Sequence, residues 1–344
     1  GFDDNKYYDL YDMVKNVIGS DDPKYSTNQT EDGTTINLFP VRKFTVPVDE
    51  NLVKTNGTVH AGDSVVKELQ INMSQGKNYL LKNDLAIYAV IAANKWKRPI
   101  CFTSTQELGN LGLDKYVRLT GLAYQLVPVL NGGVDNETSY KTVMDNFAYG
   151  GADKQGVYYD EENRRHLNSI RLAVSQIAMS LVQSGKKDSA KNVLESFDKH
   201  VLESNFPYGM TSNRGNQQDF ISVNFMEAAF AAGDTALAKK VEASVKKDLQ
   251  QQMKYYKSLG DNPGVPDEQI AEQAYMMMQG KGGNLSDRQT QFIQDIVSSY
   301  QMLMRIDQMD KQYSSSQGAV PAEKVQPTII NKPPAQKSDT KTKK

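Results

Sequence analysis

The chain has 344 residues, with 40 lysines and arginines against 41 aspartates and glutamates, so its formal net charge is −1. This length exceeds what a single hydrophobic core usually organises and favours two domains. A near-neutral chain lacks the concentrated positive charge with which nucleic-acid-binding proteins hold phosphates, so we expect no nucleic-acid partner. The single cysteine, Cys101, excludes an internal disulfide, and its apolar neighbours predict a buried thiol rather than a nucleophile.

No segment is apolar over a length that spans a bilayer. The longest apolar run, residues 85–93, is less than half of the ~20 residues that a spanning helix needs. We therefore expect the chain as given to be soluble. Because it starts at Gly1 with neither a methionine nor a basic-then-apolar leader, removal of a signal peptide or of a preceding domain fits this start.

The first part of the chain predicts a small α/β layer. Residues 7–18 carry tyrosine, leucine and valine side chains on one helical face, and Gly19 is a typical residue after a last helical turn. Residues 36–48 alternate imperfectly and contain Pro40 and Pro47, which predicts a strand at the edge of a sheet. Residues 59–69 are expected to supply another short strand.

Residues 83–128 are the predicted centre of this layer. Apolar side chains recur at three- and four-residue spacing from residue 81 to residue 92, which predicts a helix. Pro99 ends it, because a proline pushes the preceding residue out of the α region. Residues 100–103 and 120–129 then predict two strands. A helix that runs directly into a strand is the repeating unit of an α/β layer.

The same segment contains the candidate binding residues. They are polar or aromatic and near one another in sequence: Asp84, Asn94, Trp96, Arg98, Tyr116 and Tyr124. An exposed indole beside a guanidinium and carboxamides can stack on a sugar ring and hold its hydroxyls. The alternative, which we favour, is that Trp96 packs in the core and that Arg98 caps the last carbonyls of the helix.

From residue 160 onward the pattern is helical. Asp160 is placed to cap a helix that starts with two glutamates, and apolar stripes predict hairpins around Gly185 and Gly233, with a loop at residues 204–215 between them. Both turns have an alanine five positions after the glycine, as in tetratricopeptide-type hairpins. The spacing of 48 residues, from 185 to 233, exceeds the ~34 of that repeat. A last helix is expected at residues 285–313.

These patterns predict an α+β fold, with a small α/β layer followed by an all-α region of tetratricopeptide-like helical hairpins. The expected division is an α/β domain at residues 1–159 and a helical-hairpin domain at residues 160–313. Residues 314–344 are rich in proline, lysine and small polar residues, and they are expected to form a disordered tail.

Motifs for catalysis or cofactor binding are sparse. The three histidines, His60, His166 and His200, are far apart and belong to no HxH or HExxH pattern, so we expect neither a metal site nor a cofactor. The three acids at residues 160–162 leave one enzymatic alternative open. It is a self-standing carbohydrate-active enzyme that uses one of them together with another acid.

Several ordered phrases of the sequence resemble a known family. They are SDDP (20–23), NLFPVRKFTVPVD (37–49), NGTV (56–59), KNDL (82–85), NKWKRPICF (94–102), LGLDKY (111–116), GLAYQLVP (121–128) and VYYDEENRR (157–165). In them the chain is similar to the carboxy-terminal soluble region of large polytopic bacterial membrane proteins, the domain of unknown function 2723 family, which resemble protein O-mannosyltransferases. The likeness covers roughly the first half of the chain and fades after about residue 185.

This resemblance implies a role beside a membrane rather than glycosyl transfer itself. The family's membrane-spanning half, where transfer would be expected, is not part of this sequence. The resemblance places the chain in the periplasm, tethered to the inner membrane through an amino-terminal portion, with the membrane-spanning portion of the same parent protein as a partner. We expect a non-catalytic accessory region that binds an acceptor polypeptide, a glycan or an assembly partner, since helical-hairpin arrays expose concave faces. A structural scaffold without a ligand is the second alternative.

Overall fold

The computed structural model describes residues 2–20, 22–29, 35–37, 39–211, 216–260 and 263–315. Within these ranges, small sheets lie in the amino-terminal half, and most of the eleven α-helices lie in the second half, which confirms the α+β class. The predicted tail lies outside the described residues from residue 316 onward, as do residues 212–215 of the predicted loop.

The chain begins with the elements of the first sheet. Strand β1 (Tyr8–Asp9) leads into helix α1 (Leu10–Met13), which continues as a π-helical turn (Val14–Ile18). Strands β2 (Ser26–Gln29) and β3 (Thr35–Asn37) pair as a separate antiparallel ribbon. Strand β4 (Lys43–Pro47), helix α2 (Glu50–Thr55) and strand β5 (Glu68–Asn72) follow.

The prediction that the proline-containing strand lies at a sheet edge is wrong. Strand β4 occupies the middle of its sheet, parallel to β1 and antiparallel to β5. Pro40 precedes the strand, and Pro47 is its last residue, beyond the two positions that pair with β1. Neither proline therefore removes a hydrogen bond from the side that β1 occupies.

The central segment forms a helix and a second sheet. Helix α3 (Lys82–Asn94) precedes the strands β6 (Cys101–Phe102), β7 (Val117–Thr120) and β8 (Ala123–Leu126), which pair antiparallel in the order β6–β8–β7. The prediction of a buried thiol is wrong, because Cys101 is exposed. It lies on a two-residue edge strand, where one face is open to solvent.

A first hydrophobic core lies between α1, the first sheet and α3. Its buried members run from Leu10 to Leu126 and include Phe44, Ile71 and Tyr88, which are completely enclosed. The hydroxyl of Tyr88 donates to the carbonyl of Leu111 at 2.8 Å, so the polar end of this ring is satisfied inside the core. This core holds the central segment in place.

The second half consists of packed helical pairs. Helix α4 (Asn136–Asn146) precedes the hairpins α5 (Glu161–Gln183) with α6 (Lys187–His200) and α7 (Gln217–Ala232) with α8 (Thr235–Ser258). Gly185 and Gly233 follow α5 and α7 with φ of +77° and +85°, left-handed values that favour glycine. The two alanines of the matching turns, Ala190 and Ala238, are completely buried at the helix crossings. The predicted hairpins are therefore present.

Three further helices complete the described chain: α9 (Asp267–Met278), α10 (Asp287–Thr290) and α11 (Ile293–Ser315). The hydroxyl of Ser286 caps α10, inside the range where the last helix was predicted to start. The second core extends over α5 to α8 and part of α11, and it also takes in Leu119 of β7 and Val143 of α4. A third, smaller core lies between the end of α8, α9 and the start of α11. The second sheet thus contributes to the first and second cores, and the division into domains at residue 159 stays a prediction.

Candidate functional site

The six predicted binding residues are divided between the interior and the surface. Asp84, Trp96 and Tyr116 are buried, Asn94 and Tyr124 are partly buried, and Arg98 is exposed. The structure does not bring all six to one surface.

Three of the six have partners elsewhere in the fold. The carboxylate of Asp84 accepts from the main-chain N–H of Leu81 at 2.9 Å and lies 2.8 Å from Lys77 Nζ. The hydroxyl of Tyr116 accepts from the N–H of Gln70 at 2.9 Å. The hydroxyl of Tyr124 lies 3.5 Å from Gln176 Oε1 of α5. The polar atoms of these three residues therefore bind other groups of the protein.

The other three, Asn94, Trp96 and Arg98, do come together. They help to line a cavity of about 10 Å³ beneath the end of α3. A space of this size holds about one water molecule and does not admit a sugar ring. The indole Nε1 of Trp96 donates to the carbonyl of Pro47 at 2.8 Å, so this side chain packs in the interior, as we favoured from the sequence.

The backbone just after α3 is strained. Lys95 and Trp96 have φ of +48° and +61°, in the left-handed region that glycine prefers. Of the described non-glycine residues, only Asn131 shares a positive φ with them. Such conformations cost on the order of 1–3 kcal/mol each and persist only where the surroundings hold them. We call residues 95–98, Lys-Trp-Lys-Arg, the basic turn.

The main-chain bond from the N–H of Lys97 to the carbonyl of Asn94, at 3.0 Å, and four bonds that involve side chains hold the basic turn in this conformation. Asn94 Nδ2 donates to the carbonyl of Arg98 at 2.8 Å, and the N–H of Arg98 donates to Asn94 Oδ1 at 2.9 Å. Asn56 Nδ2 donates to the carbonyl of Trp96 at 2.7 Å, and the bond from the indole to Pro47 is the fourth. Strain that several bonds maintain is typical of functional positions, so the basic turn is the best candidate site in the first half.

Replacing Lys95 with glycine is expected to raise the free energy of unfolding by about 0.5 to 1 kcal/mol, because glycine adopts a positive φ without the Cβ clash. Lys97→Gly is the matched control, since the φ of Lys97 is not positive. There glycine only adds freedom to the unfolded chain and should lower stability by about 0.5 kcal/mol. Urea denaturation measures both. Similar losses in the two variants would show that Lys95 stores no strain.

A second group of unusual side chains joins α7 and α8. Asp219 is completely buried, its Oδ1 accepts from the N–H of Met210 at 3.0 Å, and its Oδ2 accepts from Gln252 Nε2 at 3.1 Å. Gln252 Nε2 also donates to Asp248 Oδ2 at 2.7 Å. Burial, together with the neighbouring carboxylate of Asp248, raises the pKa of Asp219 to about 7.

This polar network continues into α11. Gln252 Oε1 accepts from Ser299 Oγ at 3.1 Å, and Asn216 Nδ2 donates to the same Ser299 Oγ at 2.7 Å. Asp295 lies beside this network, and burial raises its pKa. The network was not predicted from the sequence, where its signal is polar residues on otherwise apolar helical faces. The network connects α7, α8 and α11. Because Asp219 is enclosed by protein, a ligand in the solvent does not reach its carboxyl group.

A surface groove of about 330 Å³ lies where the end of α6 meets the start of α8. Its lining residues are Glu195, Asp198, Lys199, Asp234, Ala236, Leu237 and Lys240. This volume falls within the range of small-ligand sites. Lys240 Nζ lies 2.6 Å from Asp198 Oδ1, and the hydroxyl of Tyr208 donates to the same oxygen at 2.9 Å. The groove depends on how two hairpins pack, so it was not predictable from the sequence.

The acids of the enzymatic alternative are exposed at the start of α5. Asp160 Oδ1 accepts from the N–H of Asn163 at 2.8 Å, which is the capping bond that the sequence predicted. Glu162 forms an ion pair with Arg165 one turn later. Two of the three acids thus have local roles in the first turns of the helix.

Among the described residues, no three or more histidine, cysteine, aspartate or glutamate side chains are grouped as a metal ion requires. Likewise, none of the helices described combines the length and the apolar character that crossing a bilayer demands.

Comparison with known proteins gives one match. Residues 2–146 match the family model of TMEM260-associated domain 2, a domain associated with a membrane-protein family. The matched segment contains the first core and the basic turn, and its end coincides with the last residue of α4. No curated protein and no solved structure matches the chain. The match supports an association with a membrane protein. The resemblances to the domain of unknown function 2723 and to protein O-mannosyltransferases stay expectations.

Proposed function

We propose that this chain is a non-catalytic, periplasmic accessory region of a glycosyltransferase-like membrane protein. In this role it binds an acceptor polypeptide, a glycan or an assembly partner beside the membrane-spanning portion of its parent protein. The match of residues 2–146 to a TMEM260-associated domain carries the proposal, because it connects much of the first half with a membrane protein. The periplasmic address and the tether to the inner membrane follow from the resemblance of the sequence phrases.

The groove between α6 and α8 supports the binding role. It is open to solvent, and carboxylates and ammonium groups line it together. Such a mixed lining can accept from and donate to the hydroxyls of a glycan or the amides of an extended polypeptide. Lys199 is exposed at its rim and has no ion-pair partner among the described residues, so its ammonium is available to a ligand.

The placement of Asp160 and Glu162 supports a non-catalytic role for the acids at the start of α5. Glycosidic bond cleavage needs two carboxyl groups that face one cleft at ~5 to 10 Å. Asp160 instead caps α5, and Glu162 pairs with Arg165 on the surface. These contacts are the ordinary ones of a helix start.

Ligand-observed NMR of the full chain against simple sugars, oligosaccharides and unfolded peptides tests the proposal. We expect saturation transfer to at least one ligand, with affinity about tenfold weaker in Lys199→Ala, since an ionic hydrogen bond contributes about 1.5 kcal/mol or more. Lys187→Ala, on the same helix but away from the groove lining, is the matched control. Arg98→Ala tests the binding residues that the sequence predicted in the first half of the chain. Trp96 is left unchanged, because its removal would open the core.

Two outcomes would contradict the proposal. Absence of transfer to every ligand of the panel would remove the binding role. If the chain hydrolysed a glycan, and if Asp160→Asn abolished that activity, the enzymatic alternative would replace the accessory role.

A further inference from the structure

The cations of the basic turn lack acidic partners. Lys95, Lys97 and Arg98 are exposed, and no side-chain nitrogen of theirs forms a hydrogen bond or ion pair with the described residues. Two exposed lysines of this half, Lys24 and Lys54, each lie 2.6 Å from a carboxylate oxygen and are compensated in this way. The turn therefore presents three uncompensated positive charges within four residues.

A fourth cation lies on the same surface. The ammonium of Lys95 lies 4.5 Å from the ring centroid of Tyr11, and that of Lys15 lies 5.7 Å from the same centroid. Lys15 is exposed on the π-helical turn after α1 and has no ion pair among the described residues. The common contact with Tyr11 joins the two segments into one positive surface.

The strained backbone fixes how these charges are displayed. The left-handed conformations of Lys95 and Trp96 turn the indole into the core while the cations on both sides of it remain exposed. The bonds from Asn94 and Asn56 hold this arrangement before any ligand arrives. A pre-ordered surface loses less conformational entropy on binding, which is a reason to maintain the strain.

The chemistry of this surface fits phosphate groups. Lysine and arginine without neighbouring carboxylates bind phosphates through charge-assisted hydrogen bonds. A bilayer and a soluble phosphate both offer that chemistry. The cavity under the turn, of about 10 Å³, is too small to enclose a phosphate ion, so the cations serve an open surface rather than a pocket. An extended array of headgroups fits such an open surface better than a small enclosed anion does.

We propose that the basic turn, together with Lys15, docks this chain onto the anionic phospholipid headgroups of a bilayer. The inference rests on the proposed function, because a region beside the membrane-spanning portion of its parent meets that bilayer. The turn also lies inside the segment that matches a membrane-protein-associated domain. Attraction of this kind is additive over basic side chains and weakens with salt.

Co-sedimentation of the full chain with vesicles tests the inference. The probes are vesicles of phosphatidylcholine alone and of phosphatidylcholine mixed with phosphatidylglycerol. We expect partitioning onto the anionic vesicles only, and release by added sodium chloride. The test variant replaces the three cations of the turn with glutamine: Lys95→Gln, Lys97→Gln and Arg98→Gln. It should partition roughly a hundredfold less well.

A matched control has the same change of net charge. It combines three exposed lysines of the helical half that have no ion pair among the described residues: Lys186→Gln, Lys187→Gln and Lys247→Gln. Its partitioning should stay within about twofold of the unchanged chain, because attraction falls off within a Debye length of the surface. Circular dichroism should show both variants folded, since the substituted nitrogens make no hydrogen bonds.

The outcomes separate this inference from the proposed function. Equal losses in the two variants would mean that net charge alone drives adsorption and would overturn the docking site. Release by inorganic phosphate, at an ionic strength where chloride has no effect, would identify a soluble-phosphate site and overturn the bilayer assignment. Failure to bind vesicles, with sugar or peptide binding intact, would overturn only the inference. Loss of both would also contradict the accessory role.

Discussion

Replacing Arg171 with alanine is expected to lower the free energy of unfolding by about 4 kcal/mol. The guanidinium is completely buried between α5 and the segment that precedes α7. One nitrogen donates to Ser222 Oγ at 2.8 Å, and another donates to the carbonyls of Phe206 and Pro207, both at 3.2 Å. Alanine would leave the carbonyl of Phe206 without this donor, would leave Gln218 Nε2 as the side-chain donor to Pro207, and would open a cavity.

Aromatic rings stabilise the buried charge. The guanidinium carbon lies 4.0 Å from the ring centroid of Phe206 and 4.6 Å from that of Tyr208. Burial lowers the pKa of Arg171 to about 10, so the group remains protonated at neutral pH. Cation–π contacts of a desolvated group contribute about 2 kcal/mol, which helps to offset the cost of burying it without an ion pair.

Two further variants identify the cause of the loss. Arg171→Met keeps most of the volume but removes the donors, so we expect a loss of about 2 kcal/mol. Arg165→Ala, on the same helix, breaks the exposed pair with Glu162 and should cost less than about 1 kcal/mol. Chemical denaturation followed by circular dichroism measures all three. A similar small loss in Arg171→Ala and Arg165→Ala would show that the buried contacts contribute little.

The same contacts also bear on the groove. Arg171 holds the segment that carries Tyr208, and the hydroxyl of Tyr208 donates to Asp198 at the groove lining. Next to it, a Cβ on Gly209 would overlap the carbonyl oxygen of Ser244, so only glycine allows the segment to approach α8 this closely. Loss of Arg171 should therefore weaken ligand binding in the groove as well as stability.

Helical elements were predictable because their signals are local. The apolar stripes and the glycines at 185 and 233 identified α5 to α8, whose ends depend on residues within one or two turns. The place of β4 in its sheet was not predictable, since it depends on pairing with two residues of β1 that are about 35 positions away. Strand β7 was missed for a related reason: it pairs with β8 across the turn at Gly121, and the strand predicted at residues 120–129 covers β8 and only the last residue of β7.

The candidate site was predictable only where it lies in one turn. Asn94, Trp96 and Arg98 share a cavity because they are within five residues of one another. Asp84 and Tyr124 were grouped with them by sequence proximity, but the helix and the strand that carry them direct their side chains to other partners. The positive φ values of the turn have no signature in the letters Lys-Trp, because surrounding hydrogen bonds, not residue preference, stabilise them.

The free energy of unfolding is expected to fall as the pH rises from about 5 to about 8, by on the order of 3 kcal/mol. Burial and the Asp248 carboxylate raise the pKa of Asp219 to about 7 in the folded chain, above its ordinary value of 3.8. Between these values the folded state holds a proton that the unfolded state has released. The stabilisation is therefore fully present below about pH 4, and it is lost as the pH passes through 7.

Urea denaturation of the unchanged chain and of Asp219→Asn across this pH range measures the effect. The variant cannot titrate at this position, so its stability should vary much less between pH 5 and 8. In Asp248→Asn the neighbouring negative charge is absent, so the pKa of Asp219 should fall and the loss of stability should begin at lower pH.

Asp295 of α11 also has a pKa raised by burial, and Asp295→Asn measures how much this residue contributes to the pH dependence. An unchanged pH dependence in Asp219→Asn would assign the effect to another group. If the pH dependence disappeared in Asp219→Asn and in neither of the other two variants, one buried proton, on Asp219, would be shown to keep α7 and α8 together near neutral pH.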